Sequence, residues 1–369
     1  MAELYIGLMS GTSLDGVDGI LADFSSSPLR VLAHVALPFD DDLKVELLAL
    51  NTPGADELHR AALAANALVR VYAQVVSKLL AHSGVPALHV RAIGAHGQTV
   101  RHRPQEFDGT GYTLQLNSPA LLAELTGIDV IADFRSRDVA AGGQGAPLAP
   151  LFHAGVFSQP GADVFVLNLG GISNLSVLAA EGGIVGFDCG PGNSLMDHWC
   201  QHHTGRAYDA DGVWAASGKV DAHLLTALLD APYFALPAPK STGRDLFNPA
   251  WLAVNLANFA SLAPVDVQTT LAELTAITCA SCVRSYGGTD GTLIVCGGGA
   301  FNRHLMRRLA DLLPGMAVQS SQMHGLAPLQ VEAAAFAWLA QQFIQGQAAG
   351  LSAVTGARGP RVLGAMYPR

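Results

Sequence analysis

The sequence has few charged residues and few cysteines. Asp, Glu, Lys and Arg make up only 14% of the 369 residues, and the net charge of −9 argues against a nucleic-acid partner, which needs a basic surface. The five cysteines are an odd number without regular spacing, which indicates a reducing compartment. No apolar run is long enough to span a bilayer, and the acidic start Met1-Ala2-Glu3 is unlike a signal peptide. We therefore expect a cytoplasmic protein that binds neither nucleic acid nor a membrane.

The Walker pattern and the dinucleotide fingerprint are also missing, but three glycine-containing turns follow apolar strands. The turns are residues 10–13, 170–173 and 297–300. Such turns let backbone N–H groups approach a phosphate or a nucleoside closely. One turn alone is equally well an ordinary hairpin loop, whereas three turns in this order favour a nucleotide site.

The chain has an internal repeat of pattern. A strand, a glycine or serine turn and two further strands occur twice, about 160 residues apart, which is too long a period for a solenoid. Two copies of one α/β domain facing each other across a cleft explain this better than two unrelated openings. The Gly-, Ala- and Pro-rich segment 140–150 marks the expected boundary. We expect a first domain at 1–139 and a second at 140–369, with the helix near 328–343 packing back on the first domain.

The order of these features resembles the actin-like ATPase and sugar-kinase superfamily, and within it the anhydro-N-acetylmuramic acid kinase family. The stretches that carry the resemblance, between residues 7 and 340, are GLMSGTSLDGVD, GAHGQTVRHRP, IADFRSRDVAAGGQGAPL, NLGGISNL, GFDCGPGN, KSTGRDLFN, CGGGAFN and VEAAAFAWLA. The resemblance implies two duplicated actin-like (ribonuclease H-like) α/β domains with mixed sheets around an interdomain ATP cleft. It also implies an enzyme of peptidoglycan recycling that uses ATP, Mg²⁺ and water to open 1,6-anhydro-N-acetylmuramic acid and phosphorylate its O6.

The resemblance assigns ATP to the three turns. The expected ATP-binding residues are Gly11, Thr12, Ser13, Leu14, Asp15, Gly16, Val17, Asp18, Gly170, Gly171, Gly297, Gly298, Gly299 and Asn302. Carboxylates beside a phosphate site usually mean a magnesium ion, so Asp15 is the candidate Mg²⁺ ligand, directly or through water. Asn168 stands where chaperone and actin relatives commonly carry an acid, which leaves the remaining metal ligands open.

Asp188 is the catalytic candidate. It follows a strand and precedes the turn Gly190-Pro191-Gly192, which tends to expose a side chain that can take a proton from attacking water. The alternative role, an N-cap of the next helix, is less favoured because Asp188 lies far upstream of that helix.

The sugar site rests on the resemblance, which implies Gln98, Thr99, Arg135 and Glu332 as substrate-binding residues. The Arg135 guanidinium could bind the lactyl carboxylate of a muramic acid with two hydrogen bonds, or it could form a surface ion pair with Asp138. Glu332 could accept sugar hydroxyls, or it could only favour the start of its helix.

Several cysteines and histidines are interpreted as structural. His198, His202 and His203 with Cys200 lack a second ligand pair, so we expect no zinc. Cys279 and Cys282 lie in an apolar helix and are expected in the core. Cys189, where many family members carry threonine, is given no catalytic role.

Two other functions compete with the leading one. Another sugar or polyol kinase fits the fold equally well but not the DCGPGN and HGQTV stretches. A chaperone-like ATPase would usually continue into a peptide-binding segment, whereas this sequence reaches Arg369 soon after its last strong helix. The expected partners are a small sugar and water, and a homodimer is left open.

Overall fold

The computed structural model describes residues 2–11, 14–26, 28–243, 246–350 and 352–369. The chain divides into two compact units. Unit 1 contains Met1–Phe152 and Leu329–Arg369, and unit 2 contains His153–Pro328. The division therefore follows residue 152 rather than residue 139, and the whole C-terminal segment belongs to unit 1.

Hydrogen bonds explain why residues 140–150 stay with unit 1. The Gln144 N–H donates to the Thr355 carbonyl at 2.7 Å. The carboxylate of Asp138, which is fully buried, accepts from the Gly145 N–H at 2.8 Å and from the Thr355 hydroxyl at 2.8 Å. These contacts join the segment to the C-terminal part of the same unit.

Unit 1 is built on a six-stranded mixed sheet with a separate hairpin. Its strands are β1 Leu4–Met9, β2 Gly16–Asp23, β3 Arg30–Pro38, β4 Val90–Ala95, β7 Val130–Ala132 and β13 Ala365–Tyr367 in the sheet, and β5 Gln98–Pro104 and β6 Gly111–Leu116 in the hairpin. Its helices are α1 Asp41–Ala49, α2 Glu57–Ser83, α3 Pro119–Thr126, α4 Ser136–Ala140, α11 Val331–Ile344 and α12 Ser352–Thr355. The chain passes into unit 2 within α5 Ala149–Phe157.

Unit 2 is built on a five-stranded mixed sheet. Its strands are β8 Val164–Leu169, β9 Ile172–Leu178, β10 Ile184–Pro191, β11 Gly291–Cys296 and β12 Met316–Ser320. Its remaining helices are α6 Ser194–Thr204, α7 Ala222–Leu229, α8 Pro249–Leu256, α9 Pro264–Ser285 and α10 Arg303–Leu312.

The two sheets share one strand order. In unit 1 the order is β3-β2-β1-β4-β7, and in unit 2 it is β10-β9-β8-β11-β12. In each sheet the first three strands along the chain are antiparallel neighbours, and the next two are parallel to the first. The predicted fold class, two duplicated α/β domains with mixed sheets, is confirmed.

Helix α11 lies directly on the sheet of unit 1 because two strands carry glycine where it crosses them. A Cβ atom at Gly7 in β1 would overlap the Ala333 carbonyl oxygen, and one at Gly94 in β4 would overlap the Phe336 carbonyl oxygen. The helix is rich in buried alanine, including Ala337. Small side chains on both elements therefore allow backbone contact.

Helix α2 is the one helix, among the described residues, whose length and composition would allow it to cross a membrane. Its buried face, which includes Leu68, Tyr72, Val75 and Leu79, packs on β2 and β3. In this structure α2 is a core helix of unit 1.

The glycine contact predicts a stability loss. Gly94→Ala should lower the free energy of unfolding by about 2 kcal/mol or more, because the new methyl group meets a backbone oxygen that no rotamer change can move. Gly155→Ala is the control. Gly155 lies exposed in α5 with open space around it, so alanine there should stabilise by roughly 0.5–1 kcal/mol. Urea unfolding of both variants checks this, and equal midpoints would contradict it.

Candidate active site

The first glycine turn is fixed by a buried hydrogen-bond network. The Ser10 hydroxyl is 3.0 Å from the Tyr72 hydroxyl and donates to the Gly97 carbonyl at 3.0 Å. The Gly97 N–H donates to the Tyr72 hydroxyl at 3.1 Å, and the Gln98 side-chain amide donates to the Gly11 carbonyl at 3.1 Å. Burial raises the pKa of Tyr72, so its hydroxyl stays protonated. The turn is therefore tied to the β4–β5 connection.

Most predicted residues of the first turn are described. Leu14 donates its N–H to the Gly11 carbonyl at 3.2 Å and has a left-handed φ of 57°, a strained conformation for leucine. The side chains of Leu14 and Val17 lie in the hydrophobic core of unit 1, so only their backbones can face a phosphate. Thr12 and Ser13 lie outside the described residues. Gly16 could not carry a Cβ, which would overlap the Leu37 carbonyl oxygen.

The two carboxylates of this stretch differ in setting. Asp15 is exposed, which suits a ligand that reaches Mg²⁺ directly or through water. Asp18 instead lies on β2 with its carboxylate 3.1 Å from the Nε2 of His34 on β3. Among the described residues, no group of three His, Cys, Asp or Glu side chains is arranged to hold a metal ion. A magnesium site here would therefore need phosphate and water oxygens as well as Asp15.

Arg135 and the β5 residues form a second cluster in unit 1. The Arg135 Nη1 donates to the Gly145 carbonyl at 2.8 Å, and its Nε and Nη2 lie 3.2 and 3.0 Å from the Nε2 of His96. The expected alternative, an ion pair with Asp138, is not formed, because that carboxylate is buried against Gly145 and Thr355.

Gln98 and Thr99 begin the hairpin strand β5. The Thr99 hydroxyl accepts from the Gln115 side-chain amide at 3.2 Å. The Oε1 of Gln98 is buried without a hydrogen-bond partner among the described residues. Glu332 lies half-buried in the first turn of α11.

In unit 2 the second and third glycine turns pack together. The Asn193 N–H donates to the Gly170 carbonyl at 2.8 Å. Its side-chain amide donates to the Leu169 carbonyl at 2.9 Å. A Cβ at Gly297, whose φ is 77°, would overlap the Asn168 side-chain oxygen. The same Cβ would also overlap the Leu169 carbonyl oxygen, so glycine is required where the third turn packs against the end of β8.

The other predicted residues of the third turn have structural contacts within unit 2. Gly298 opens a short 3₁₀ turn, and a Cβ at Gly299 would press on Leu169. Asn302 is the N-cap of α10, with its side chain accepting from the Leu305 N–H at 3.0 Å. Gly171 accepts from the Gly192 N–H at 3.0 Å.

Asp188 lies at a β-bulge. The pairing of β10 with β9 shifts register between Asp188 and Gly190, and a bulge of this kind redirects a side chain. The Asp188 Oδ2 accepts from the Thr242 N–H at 2.9 Å, and the Asp188 backbone carbonyl accepts from the Tyr233 hydroxyl at 2.9 Å. Burial and the nearby Asp188 carboxylate raise the pKa of Tyr233, so the phenol remains a donor. The first bond holds one oxygen of the half-buried carboxylate, and the second holds the backbone of the same residue.

The cysteines near Asp188 are structural in character. Cys189 is fully buried, and burial raises the pKa of its thiol. It packs in the core of unit 2 with Cys279, while Cys282 is only partly buried.

Some buried polar atoms of both units have no hydrogen-bond partner among the described residues. These atoms include Gln98 Oε1, Asn168 Oδ1 and Thr242 Oγ1. The amide oxygens of Gln98 and Asn168 accept only, so they suit a hydrogen-bond donor or a cation rather than a phosphate oxygen. Buried polar atoms are usually paired, and exceptions often mark a missing water, ion or ligand. Gln98 is one of the expected substrate-binding residues, Asn168 precedes the second glycine turn, and Thr242 lies in the KSTGRDLFN stretch that carries the resemblance.

Sequence reasoning missed several residues of this arrangement. Tyr72 reads as one more apolar residue of a helix, and Tyr233 as part of a proline-rich connector. His96 shows only as a polar residue after a strand. Their signal was weak because each acts through a hydrogen bond to a residue distant in the chain.

The comparisons with known proteins give the class of this duplicated α/β protein, a kinase that acts on a sugar. Residues 3–369 match the family described as anhydro-N-acetylmuramic acid kinase. Proteins of that name from Albidiferax ferrireducens and Variovorax paradoxus are 64% and 63% identical, over 100% and 99% of both chains. The chain belongs to the anhydro-N-acetylmuramic acid kinase family.

Among solved structures, the activator of the 2-hydroxyisocaproyl-CoA dehydratase from Clostridium difficile matches loosely. The identity is 11% and the TM-score 0.48, over 91% of this chain and 93% of that chain.

The buried His96 predicts a pH dependence of stability. Burial, reinforced by Arg135, lowers the pKa of His96 to about 3, below the usual value near 6.5. The unfolded chain therefore takes up an extra proton as the pH falls from about 6.5 to about 3, and stability is lost over that window. Between pH 7 and 5 the wild type should lose about 2 kcal/mol more unfolding free energy than His96→Gln. Urea unfolding at both pH values measures this, and parallel losses would refute it.

Proposed function

We propose that the protein uses ATP and water to convert 1,6-anhydro-N-acetylmuramic acid into N-acetylmuramic acid 6-phosphate and ADP during peptidoglycan recycling. The observation that carries the proposal is the setting of Asp188, a half-buried carboxylate at a β-bulge with one oxygen held by the Thr242 N–H at 2.9 Å. A base with this fixed orientation suits activation of a water molecule. Membership of the family supports the same substrate.

In the proposed reaction, the anhydro ring opens first and O6 is then phosphorylated. The Asp188 carboxylate takes a proton from water while the water oxygen bonds to C1 of the sugar. The C1–O6 bond breaks and its electron pair goes to O6. O6 then attacks the γ-phosphorus of ATP, and ADP leaves with the electron pair of the broken P–O bond. Phosphoryl transfer of this kind depends mainly on positioning and charge neutralisation.

The sugar would be held from unit 1. Arg135 supplies a positive charge in a protein whose net charge is −9, and a guanidinium suits the lactyl carboxylate. Gln98, with its unpartnered Oε1, and Thr99 would bind sugar hydroxyls or the acetamido group. Glu332 would accept from hydroxyl donors.

The glycine turns would be the nucleotide-binding elements. Residues 10–13 and 170–173 would contact the phosphates, and residues 297–300 with Asn302 would lie near the adenosine. Mg²⁺, held by Asp15 directly or through water, would neutralise phosphate charge. We place this enzyme in the cytoplasm, in keeping with its acidic net charge and free cysteines. Its proposed partners are a small sugar and water, and a homodimer is left open.

Asp188→Asn should nearly abolish turnover while both ligands still bind. General-base catalysis is worth about 10²–10⁴-fold, and ring opening and phosphorylation should fall together because one feeds the other. Asp230→Asn, an exposed change of the same charge in unit 2, is the control.

In ¹⁸O-labelled water the label should appear at C1 and not in the oxygen that bridges C6 and phosphorus. Label missing from C1, after correction for mutarotation, or an Asp188→Asn variant with normal turnover, would contradict the mechanism.

Arg135→Ala should raise the KM for the acid-bearing sugar. Losing a charge-assisted hydrogen bond costs roughly 1.5–3 kcal/mol, or about ten- to a hundred-fold. The amide of the same sugar should bind the wild type more weakly than the acid, and the variant should no longer distinguish the two. Arg137→Ala, an exposed neighbour, serves as the control, and equal acid preference in wild type and Arg135→Ala would exclude the assignment.

A further inference from the structure

His96 joins the proposed sugar site to the first glycine turn. It lies at the end of β4 and only 4% of its surface is exposed. Its Nδ1 is 3.2 Å from the Ser10 carbonyl oxygen, and its Nε2 is 3.2 and 3.0 Å from the Nε and Nη2 of Arg135. The ring also packs on Phe336, with 4.7 Å between the ring centroids.

The partners of His96 determine its tautomer. A guanidinium can only donate, so Nε2 must be the acceptor. A carbonyl oxygen can only accept, so Nδ1 must carry the hydrogen. The low pKa of His96, about 3, which burial and Arg135 cause, keeps the ring neutral at physiological pH. Both nitrogens are thus assigned by their neighbours.

The same bonds set the orientation of Arg135. The Nε and Nη2 of the guanidinium donate to the His96 Nε2, and its Nη1 donates to the Gly145 carbonyl at 2.8 Å. These bonds fix the plane and the direction of the guanidinium with which Arg135 would meet a bound carboxylate.

On its other side His96 touches the proposed phosphate turn. The Ser10 whose carbonyl accepts from His96 also bonds through its hydroxyl to Tyr72 and Gly97. The next residue of the turn, Gly11, accepts from Gln98 at 3.1 Å. The His96 ring therefore lies between Arg135, which would bind the sugar carboxylate, and the first glycine turn, which would bind phosphate.

We propose that His96 is a positioning residue that orients the Arg135 guanidinium for a carboxylate ligand and couples that site to the first phosphate turn. The inference rests on the proposed function, since it takes the ligand of Arg135 to be the carboxylate of the sugar.

Two substitutions of His96 each remove one of its two hydrogen bonds, that to Ser10 or that to Arg135. The amide of asparagine overlays the Nδ1 position and that of glutamine the Nε2 position. His96→Asn should keep the bond to Ser10 and lose the acceptor for Arg135. His96→Gln should keep that acceptor and lose the bond to Ser10. His89→Asn, an exposed histidine of unit 1, is the matched control.

The KM values for sugar and for ATP, kcat, and the preference for the acid over its amide are measured for each variant. We expect His96→Asn to raise the sugar KM roughly five-fold, as for the loss of one hydrogen bond, and to weaken the acid preference. His96→Gln should keep the acid preference and raise the ATP KM. Combined with Arg135→Ala, His96→Asn should have no further effect on the sugar KM, because the two act through one interaction.

The outcomes distinguish two failures. If Arg135→Ala keeps the acid preference, the carboxylate assignment and this inference both fail. If Arg135→Ala loses it but His96→Asn does not, or if the Asn and Gln variants lose it equally, only the role of His96 fails.

If the His96 variants do not fold, the proposal can still be tested on the wild-type protein. The ¹⁵N signals of His96, distinguished from those of the buried His153 with a His153→Gln variant, should show a protonated Nδ1 and a bare Nε2. A protonated Nε2 would overturn the proposal.

Discussion

Both units depend on the approach of one backbone to another without a side chain between them. In unit 1, Gly7 and Gly94 let the backbone of α11 lie on the sheet. In unit 2, Gly192 and Gly297 have no room for a Cβ, because the Gly170 carbonyl and the Asn168 side chain lie where it would be. Some of these glycines also donate their N–H groups within the same unit, Gly192 to the Gly171 carbonyl at 3.0 Å and Gly297 to the Pro328 carbonyl at 3.1 Å.

Around these glycines, polar atoms are held at a cost that a ligand could offset. Gln98, Asn168 and Thr242 each bury an oxygen that has no partner among the described residues. An unsatisfied buried group costs about 1–3 kcal/mol. The charged groups, in contrast, have hydrogen-bond partners. The Asp188 carboxylate accepts from the Thr242 N–H, and the Arg135 guanidinium donates to the His96 ring. In each unit, a charged group with fixed partners stands beside polar oxygens without partners.

The local elements could be predicted from the sequence because their signals are local. Apolar runs gave β1, β4 and β8, and the proline and glycine at either end of α3 gave its bounds, with Gly127 in the left-handed conformation at its C-terminus. The duplication followed from the repeated order of such elements. The division of the chain did not follow, since it depends on contacts such as that of Thr355 with Asp138, 217 residues away in sequence.

At the proposed site the sequence determined which residue types stand near which glycine turns, and the resemblance gave Asp188 and Arg135 their expected roles. Only the tertiary structure decided what these side chains contact. The bond from Thr242 to Asp188 joins residues 54 apart in sequence, and that from Arg135 to His96 joins residues 39 apart. The tautomer of His96 likewise depends on two partners that its own neighbours in sequence do not reveal. Local pattern fixes secondary structure, whereas the orientation of a buried polar group is set by whichever distant donor or acceptor folding brings beside it.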